Sequence, residues 1–237
     1  MNINLLSSPR NRSTLLMYSF AQRSDMQVID EPMYAYYLKR SGADHPGREQ
    51  ILESQNTNLS KLTAILKKES DKTIFIKNMA HHYFADDFDC LIGLKNILYI
   101  RNPRAIIRSY SKVIANPTAA DVGIKKVRSM FDFLERHKQR PIVLDSDKLI
   151  ANPPRILKSL CNHLNILYMD EMLHWESGPK EYDGVWAPHW YSQVHNSTGF
   201  RQNPNAATEA IHLASHLESV AEDCLPDYNY LSQYSIN

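Results

Sequence analysis

The sequence predicts an α/β protein in which helices flank a central, mostly parallel sheet of about five strands. Short apolar segments alternate along the chain with longer segments whose apolar residues recur at helical spacing, and this alternation is typical of βαβ units with right-handed crossovers. The segment Asn96–Ile100 is almost wholly apolar, as expected of a strand buried on both faces of a parallel sheet. Since ligands of such folds bind beyond the carboxyl ends of the strands, residues that follow a strand are the first candidates for function.

Each element follows from its own pattern. The strands are expected at Ile3–Ser7, Gln27–Asp30, Lys72–Lys77, Asn96–Ile100 and Pro141–Leu144. The helices are expected at Arg12–Arg23, Met33–Lys39, Asn58–Glu69, Pro103–Val113, Thr118–Lys138, Pro154–Leu164 and Ala206–Cys224. Residues 178–205 are rich in Trp, His, Pro, Asn and Gly, and we expect an ordered loop there, over the active site, because a loop of this length is usually functional or disordered and its bulky aromatic residues favour order.

Composition sets limits on the class of protein. The 237 residues carry 27 basic and 26 acidic side chains, and 43% of them are hydrophobic, which predicts one generous domain over 1–237 with a real core. The near-neutral charge argues against a protein that coats nucleic acid, and no segment approaches the ~18–20 apolar residues of a membrane span. The amino-terminal segment does not resemble a secretory signal. The three cysteines lack CxxC spacing, so we expect free thiols in a reducing cytoplasm and no metal site.

The first candidate site is the turn after the first strand, Pro9-Arg10-Asn11-Arg12-Ser13-Thr14. The start of a helix presents unpaired N–H groups and the positive end of its dipole, and both favour an anion such as phosphate. Two arginines and two hydroxyls would strengthen such a site. On local spacing alone, a basic turn in which Ser13 or Thr14 only caps the helix is equally compatible with the sequence.

The second candidate site begins at Arg101, at the end of a predicted strand. Ser109 follows eight positions later, and the end of the strand and the next helix can bring the guanidinium and the hydroxyl onto one phosphate. Taken alone, this segment fits a solvated helix start, in which Arg104 and Arg108 form a surface i,i+4 pair, better than it fits a phosphate site.

Together, these two segments resemble the donor-binding loops of the sulfotransferase family, which uses 3′-phosphoadenylyl sulfate (PAPS). Pro9–Thr14 is similar to the family's 5′-phosphosulfate loop, and Arg101 with Ser109 matches its 3′-phosphate pair. Ile142–Leu149 with Asn152-Pro153 resembles a further strand and turn of the family. The similarity is greatest to a bacterial subset with Asp-Glu-Pro after strand two and Trp-Ala-Pro-His-Trp-Tyr near the end, here Asp30–Pro32 and Trp186–Tyr191.

The resemblance covers about Ile3 to Phe200 and implies a P-loop-NTPase-like three-layer sandwich, a PAPS co-substrate and no metal. Arg10 would stabilise the leaving phosphate, assisted by Ser13, Thr14 and the backbone N–H groups. Asn11 and Arg12 would take part in binding the co-substrate. The chain departs from the family pattern where Arg12 replaces glycine and Asn11 replaces serine. Because asparagine tolerates the left-handed backbone, Asn11 is expected to preserve the turn. Some members have names borrowed from branched-chain aminotransferases, but this sequence shows no motif for pyridoxal phosphate.

The resemblance also implies which residues are catalytic. Glu31 follows strand two where some members have a catalytic glutamate, and we predict that it is the base, although it could instead only pair with a basic loop. Lys77 ends a strand where the family often has a lysine near the transferring group. The family histidine would fall at Met79, so His81 and His82 are expected to serve helix capping or solvent contact.

The acceptor is expected to be a small molecule with a hydroxyl or amine group. Asp30, Tyr34, Trp186 and His189 are predicted to line its pocket, because such pockets are mostly apolar with a few polar groups. The protein could form a homodimer, and we expect it to bind neither nucleic acid nor a membrane. Two other functions remain open. One is a P-loop small-molecule kinase, although Ser13 occupies the position of the Walker lysine. The other is a non-catalytic nucleotide-binding relative, which the arginine at position 12, in place of glycine, suggests.

Overall fold

A five-stranded sheet forms the centre of the fold in the computed structural model, which describes residues 1–112, 114, 116–206, 208 and 210–237. The strands are β1 (Asn2–Ser7), β2 (Met26–Asp30), β3 (Thr73–Met79), β4 (Lys95–Ile100) and β5 (Ile142–Asp145). They are ordered β2-β3-β1-β4-β5, with β2 parallel to β3 and β4 parallel to β5. All five lie within two residues of the positions that the sequence predicts.

Helices connect the strands. They are α1 (Ser13–Ala21), α2 (Tyr34–Ser41), α3 (Arg48–Ser54), α4 (Leu59–Leu66), α5 (Pro103–Tyr110), α6 (Ala119–Val122), α7 (Ile124–Arg136), α8 (Ser146–Ala151), α9 (Pro153–Leu164), α10 (Ala187–Trp190), α11 (Ser192–His195) and α12 (Ser215–Ser232). Shorter 3-10 helices lie at Ala80–His82, Ala85–Leu91 and Asp170–Leu173. The predicted α/β class is thus confirmed.

Three predicted elements differ from the structure. The long helix predicted over Thr118–Lys138 is wrong, because Gly123 has a left-handed φ of 71° and ends α6 before α7 begins. The predicted loop 178–205 contains the short helices α10 and α11. The last helix begins at Ser215 rather than Ala206. Within the predicted helices, Val113, Ala207 and Glu209 lie outside the described residues.

The chain divides into two compact units. Unit 1 comprises Met1–Leu6, Thr14–Asn96 and Met169–Phe200, and unit 2 comprises Ser7–Ser13, Ile97–Tyr168 and Arg201–Asn237. A single domain over 1–237 therefore stays a prediction. Within the described ranges, no helix combines the length and the apolar character that crossing a bilayer requires.

A row of buried amides orders the sheet inside unit 1. Asn4 of β1 donates through Nδ2 to Asn96 Oδ1 of β4 at 2.9 Å, and Asn78 Nδ2 of β3 donates to Asn4 Oδ1 at 2.9 Å. Asn96 Nδ2 in turn donates to the carbonyl of Leu91 at 2.8 Å. Because a buried amide is costly without partners, a slip of one strand would break these bonds, and the row therefore favours a single register.

Apolar packing completes each unit. In unit 1, Phe20 of α1 stacks on Phe75 of β3 with ring centres 4.2 Å apart. In unit 2, residues 97–100 of β4 are fully buried, as the sequence predicts, and Phe131 of α7 packs edge-on against Tyr230 of α12. Cys90, Cys161 and Cys224 are buried free thiols, as predicted.

Candidate functional site

The turn between β1 and α1 has a strained backbone. Arg10 and Arg12 have φ values of 60° and 63°, a left-handed conformation that costs roughly 1–2 kcal/mol for a residue other than glycine. Asn11, between them, does not have a positive φ, and its side chain donates from Nδ2 to the carbonyl of Tyr99 at 2.6 Å. The bond pins the turn to β4 and compensates for the strain. Backbone strain of this kind concentrates at functional sites.

Two contacts in unit 2 join the two candidate segments of the sequence. Nη1 of Arg101, at the end of β4, donates to the backbone carbonyl of Arg10 at 2.8 Å. Nε of Arg10 donates to Oγ of Ser109 on α5 at 3.1 Å. The guanidinium of Arg101 therefore lies against the Pro9–Thr14 turn, as the interpretation of the sequence requires.

The guanidinium of Arg12 pairs with a carboxylate of α8. Its Nη1 donates to Oδ1 of Asp147 on α8 at 2.8 Å, and Nε of Arg101 donates to the same oxygen at 3.3 Å. Arg12 takes the left-handed conformation that glycine would adopt at this position of the family pattern. Burial and the charge of Arg12 lower the pKa of Arg101, and Asp147 opposes that shift.

The charges and the unpaired polar atoms of unit 2 suit an anionic, polar ligand. Arg10, Arg12 and Arg101 bring three positive charges to this cluster, and Asp147 is the buried carboxylate that pairs with two of them. Five buried polar atoms near these elements have no hydrogen-bond partner among the residues that the structure describes. They are Ser8 Oγ, Asn11 Oδ1, Tyr99 Oη, Ser146 Oγ and Asp147 Oδ2. Such atoms normally have a partner in the loaded state of a site.

The start of α1 follows directly on this turn. Ser13 and Thr14 are its first two residues, and no acidic side chain lies in its first turn. The start of a helix generally presents N–H groups that lack intrahelical partners, which favours an anion at this position.

A buried lysine gathers two carboxylates in unit 1. The parallel register sets Asp30 at the end of β2 opposite Lys77 of β3. Nζ of Lys77 donates to Asp30 Oδ1 at 3.1 Å and also to Glu31 Oε1, while the lysine side chain is 2% exposed. The sequence prediction placed Asp30, Glu31 and Lys77 in one site, and the structure brings them together.

Tyr191 also belongs to this cluster, although the sequence predicts no role for it in the site. Its hydroxyl accepts from Lys77 Nζ at 2.6 Å and donates to Asp30 Oδ2 at 2.8 Å. Trp186 Nε1 donates to the same hydroxyl at 3.2 Å. The aromatic segment Trp186–Tyr191 was the signal that pointed to it. Trp186 itself is only 2% exposed, and its ring lies behind Tyr191.

Glu31 and Asp30 differ in the number of their carboxylate oxygens that accept hydrogen bonds. Both oxygens of Asp30 are bonded, since Oδ2 also accepts from the backbone N–H of Gly184 at 3.2 Å. Glu31 Oε2 has Nε2 of His82 as a neighbour at 3.8 Å, beyond hydrogen-bond distance. Burial and then the charge of Asp30 raise the pKa of Glu31 to about 7, against the opposing effect of Lys77. A carboxyl with that pKa can accept a proton at neutral pH.

His82 and Tyr34 form an aromatic layer behind Glu31. The imidazole of His82 is 1% exposed and stacks between Tyr34 and Tyr37 at 4.5 and 5.0 Å. The prediction that His82 caps a helix or meets solvent is therefore wrong. Burial, followed by the charges of His81 and Lys77, lowers its pKa well below the ordinary value, so the ring is neutral. The hydroxyl of Tyr34 is hydrogen-bonded to Nδ1 of His45 at 2.8 Å.

A cavity of about 700 Å³ lies beside His45 in unit 1. It is lined by residues 44–50 and by His189, an exposed residue of α10. The structure thus sets His189 at this cavity, whereas Tyr34 does not line it and only bonds to His45, which does. In the described part of the chain, no group of three or more His, Cys, Asp or Glu residues is arranged to hold a metal ion.

Comparison with known families identifies the kind of protein. A model of the sulfotransferase domain matches residues 1–231. The chain belongs to the sulfotransferase-domain family. This membership confirms the resemblance that the sequence predicts.

Two plant proteins are similar to this chain over almost its whole length. Two Arabidopsis thaliana proteins, branched-chain-amino-acid aminotransferase-like proteins 1 and 2, are 37% and 35% identical over 98% and 97% of this chain. The chain spans only 42% and 41% of their length.

Solved sulfotransferase structures share the fold. The sulfotransferase domain from the Synechococcus PCC 7002 olefin synthase is 18% identical with a TM-score of 0.61, and the likeness covers 94% of each chain. The sulfotransferase from Alicyclobacillus acidocaldarius is 11% identical with the same TM-score and covers 98% of this chain and 94% of its own. At these identities the likeness shows the fold, which is the predicted P-loop-like α/β sandwich.

Proposed function

We propose that this sulfotransferase-family chain moves a sulfuryl group from PAPS to a hydroxyl or amine of a small-molecule acceptor. The observation that carries the proposal is the contact of Arg101 with the backbone of Arg10, which joins the strand-end arginine to the turn. Ser109 is tied to the same turn through Arg10. These groups form one cationic cluster, as binding a bisphosphorylated nucleotide requires.

The donor site in this proposal consists of the Pro9–Thr14 turn and the Arg101–Ser109 pair. Arg10 and the N–H groups of Asn11, Arg12, Ser13 and Thr14 would hold the 5′-phosphosulfate, and Arg101 with Ser109 would hold the 3′-phosphate. The five buried polar atoms without partners in unit 2 support a polar ligand there. When bound, PAPS supplies an activated sulfuryl group.

Glu31 acts as the base in this proposal. It takes the proton of the acceptor hydroxyl or amine while the acceptor atom bonds to sulfur and the bond from sulfur to the phosphate oxygen breaks. Arg10 and the start of α1 stabilise the negative charge that the departing phosphate gains. Lys77 orients the Glu31 carboxylate and keeps its pKa from rising further.

The residues proposed for the acceptor lie in unit 1. Asp30 holds Lys77 and Tyr191 in place, and His189 lines the cavity beside His45, whose Nδ1 is bonded to the Tyr34 hydroxyl. Trp186 donates a hydrogen bond to the Tyr191 hydroxyl and so helps to hold Tyr191 in this position. A homodimer and a cytoplasmic location stay predictions.

Sulfur-labelled PAPS and a panel of alcohols, phenols and amines test the proposed activity. Wild-type protein should transfer label to at least one acceptor, Arg10→Ala should lose donor binding and turnover, and Glu31→Gln should bind the donor but lose turnover. Arg140→Ala, which removes an exposed guanidinium that pairs with Glu135, is the matched control and should keep activity.

A thermal-shift screen separates the competing functions. Adenosine 3′,5′-bisphosphate at about 100 times its Kd should raise the free energy of unfolding by about 2.7 kcal/mol. Magnesium-dependent consumption of ATP would point instead to a kinase, and tight binding of the bisphosphate without transfer to any acceptor would point to a binding module. Wild-type turnover in Glu31→Gln would show that the base is another residue.

A further inference from the structure

Asp147 is shared by two arginines of the donor cluster in unit 2. Its Oδ1 accepts from Arg12 Nη1 at 2.8 Å and from Arg101 Nε at 3.3 Å. The side chain is 5% exposed, and its backbone N–H donates to Oδ1 of Asp145 at 2.8 Å. The carboxylate is therefore held at the start of α8 with little freedom to move.

We propose that Asp147 is a positioning residue of the donor site, an inference that rests on the nucleotide-binding role proposed above. It holds the guanidinium of Arg12 against α8, off the turn whose backbone must reach the phosphosulfate. It also leaves Arg101 Nη1 directed at the carbonyl of Arg10. The same carboxylate thereby makes an arginine acceptable at a position where the family pattern has glycine.

Two physical arguments support this role. Arg12 and Arg101 are like charges that contact one carboxylate oxygen, and without that carboxylate they would repel each other. Arg101, at 9% side-chain exposure, would lose the partner that offsets the burial of its charge.

Affinity for adenosine 3′,5′-bisphosphate measured by calorimetry is the direct test. Asp147→Asn should weaken binding by at least about tenfold, the loss expected for one charge-assisted hydrogen bond. Its KM for PAPS should rise while kcat at saturating donor stays near the wild-type value, because Asp147 does not touch the reacting atoms. Asp132→Asn, which removes the carboxylate that pairs with Arg128 on α7 at 2.9 Å, is the matched control and should bind normally.

A double-mutant cycle with Arg12→Gly separates positioning from general support of the fold. Glycine accepts the φ of 63° at this position, and it removes the side chain that Asp147 restrains. In this background the further loss caused by Asp147→Asn should shrink to about threefold or less. An equal loss in both backgrounds would show that Asp147 only supports the fold.

The outcomes for this inference and for the proposed function are distinct. If wild-type protein fails to bind the bisphosphate, both fall. If wild-type protein binds it and Asp147→Asn binds equally well, the positioning role alone is wrong. Should Asp147→Asn not fold, Asp147→Glu takes its place: a Kd raised at least about threefold with unchanged kcat supports the role, and a wild-type Kd overturns it.

Discussion

The hydroxyl of Tyr191 lies 2.6 Å from Nζ of Lys77, although the two residues are 114 positions apart in the sequence. This contact closes the polar cluster around Glu31, because the same hydroxyl also donates to Asp30 and accepts from Trp186. The late aromatic segment therefore contributes a polar group to the proposed catalytic cluster as well as apolar surface.

Replacing Tyr191 by phenylalanine tests this contribution. The Tyr191→Phe variant keeps the ring but leaves Trp186 Nε1 without its acceptor and Lys77 without one partner, which should destabilise the protein by about 1–3 kcal/mol. We also expect kcat to fall, because Lys77 then orients Glu31 less firmly. Thermal unfolding and turnover measure the two effects. Tyr182→Phe, whose ring packs on Tyr18 at 5.6 Å, is the control, and equal behaviour of the two variants would contradict the prediction.

The pH dependence of turnover should report Glu31. Because the base must be ionised, kcat/KM should rise with pH around the Glu31 pKa of about 7, since this ratio reports the titration of the ligand-free protein. The charge of Asp30 raises that pKa, so Asp30→Asn should move the rising limb of the profile to lower pH. A limb that stays in place, or that moves to higher pH, would argue against Glu31 as the titrating group.

Glu31 should also make stability depend on pH. Its pKa is raised from an ordinary value of 4.5 to about 7, so the folded protein keeps a proton that the unfolded chain has already released. Stability should therefore fall as pH rises from about 4.5 to 7, by on the order of 3 kcal/mol. Denaturant unfolding of wild type and Glu31→Gln across this window measures the effect. The fall should be weaker in the variant, and parallel curves would contradict the assignment.

Gly184 provides space that the cluster needs. A Cβ at this position would collide with the indole ring of Trp186, and the N–H of Gly184 donates to Asp30. Gly184→Ala should therefore displace Trp186, loosen Tyr191, and lower both the melting temperature and kcat. Val185→Ala changes the exposed neighbour and should leave both nearly unchanged. A fully stable and active Gly184→Ala variant would show that Trp186 can repack at no cost.

Local patterns were sufficient for much of this fold. Apolar segments and helical spacing located all five strands, since such signals depend on neighbouring residues. The carboxyl ends of the strands pointed to Arg10, Glu31, Lys77 and Arg101, because parallel strands present their ligand sites there. The helical spacing of apolar residues did not predict the break at Gly123, since this spacing continues on both sides of the glycine.

The sequence by itself determined the fold class, the family and most of the polar residues of the site, because these depend on short-range patterns and fixed spacings. Tertiary structure alone decided the partners: Tyr191 for Lys77, Asp147 for Arg12, and two tyrosine rings for His82. Arg12 and Asp147 are 135 positions apart, and no local pattern encodes such a distance. Which charges meet, and hence which pKa values shift, follows only from how the chain packs.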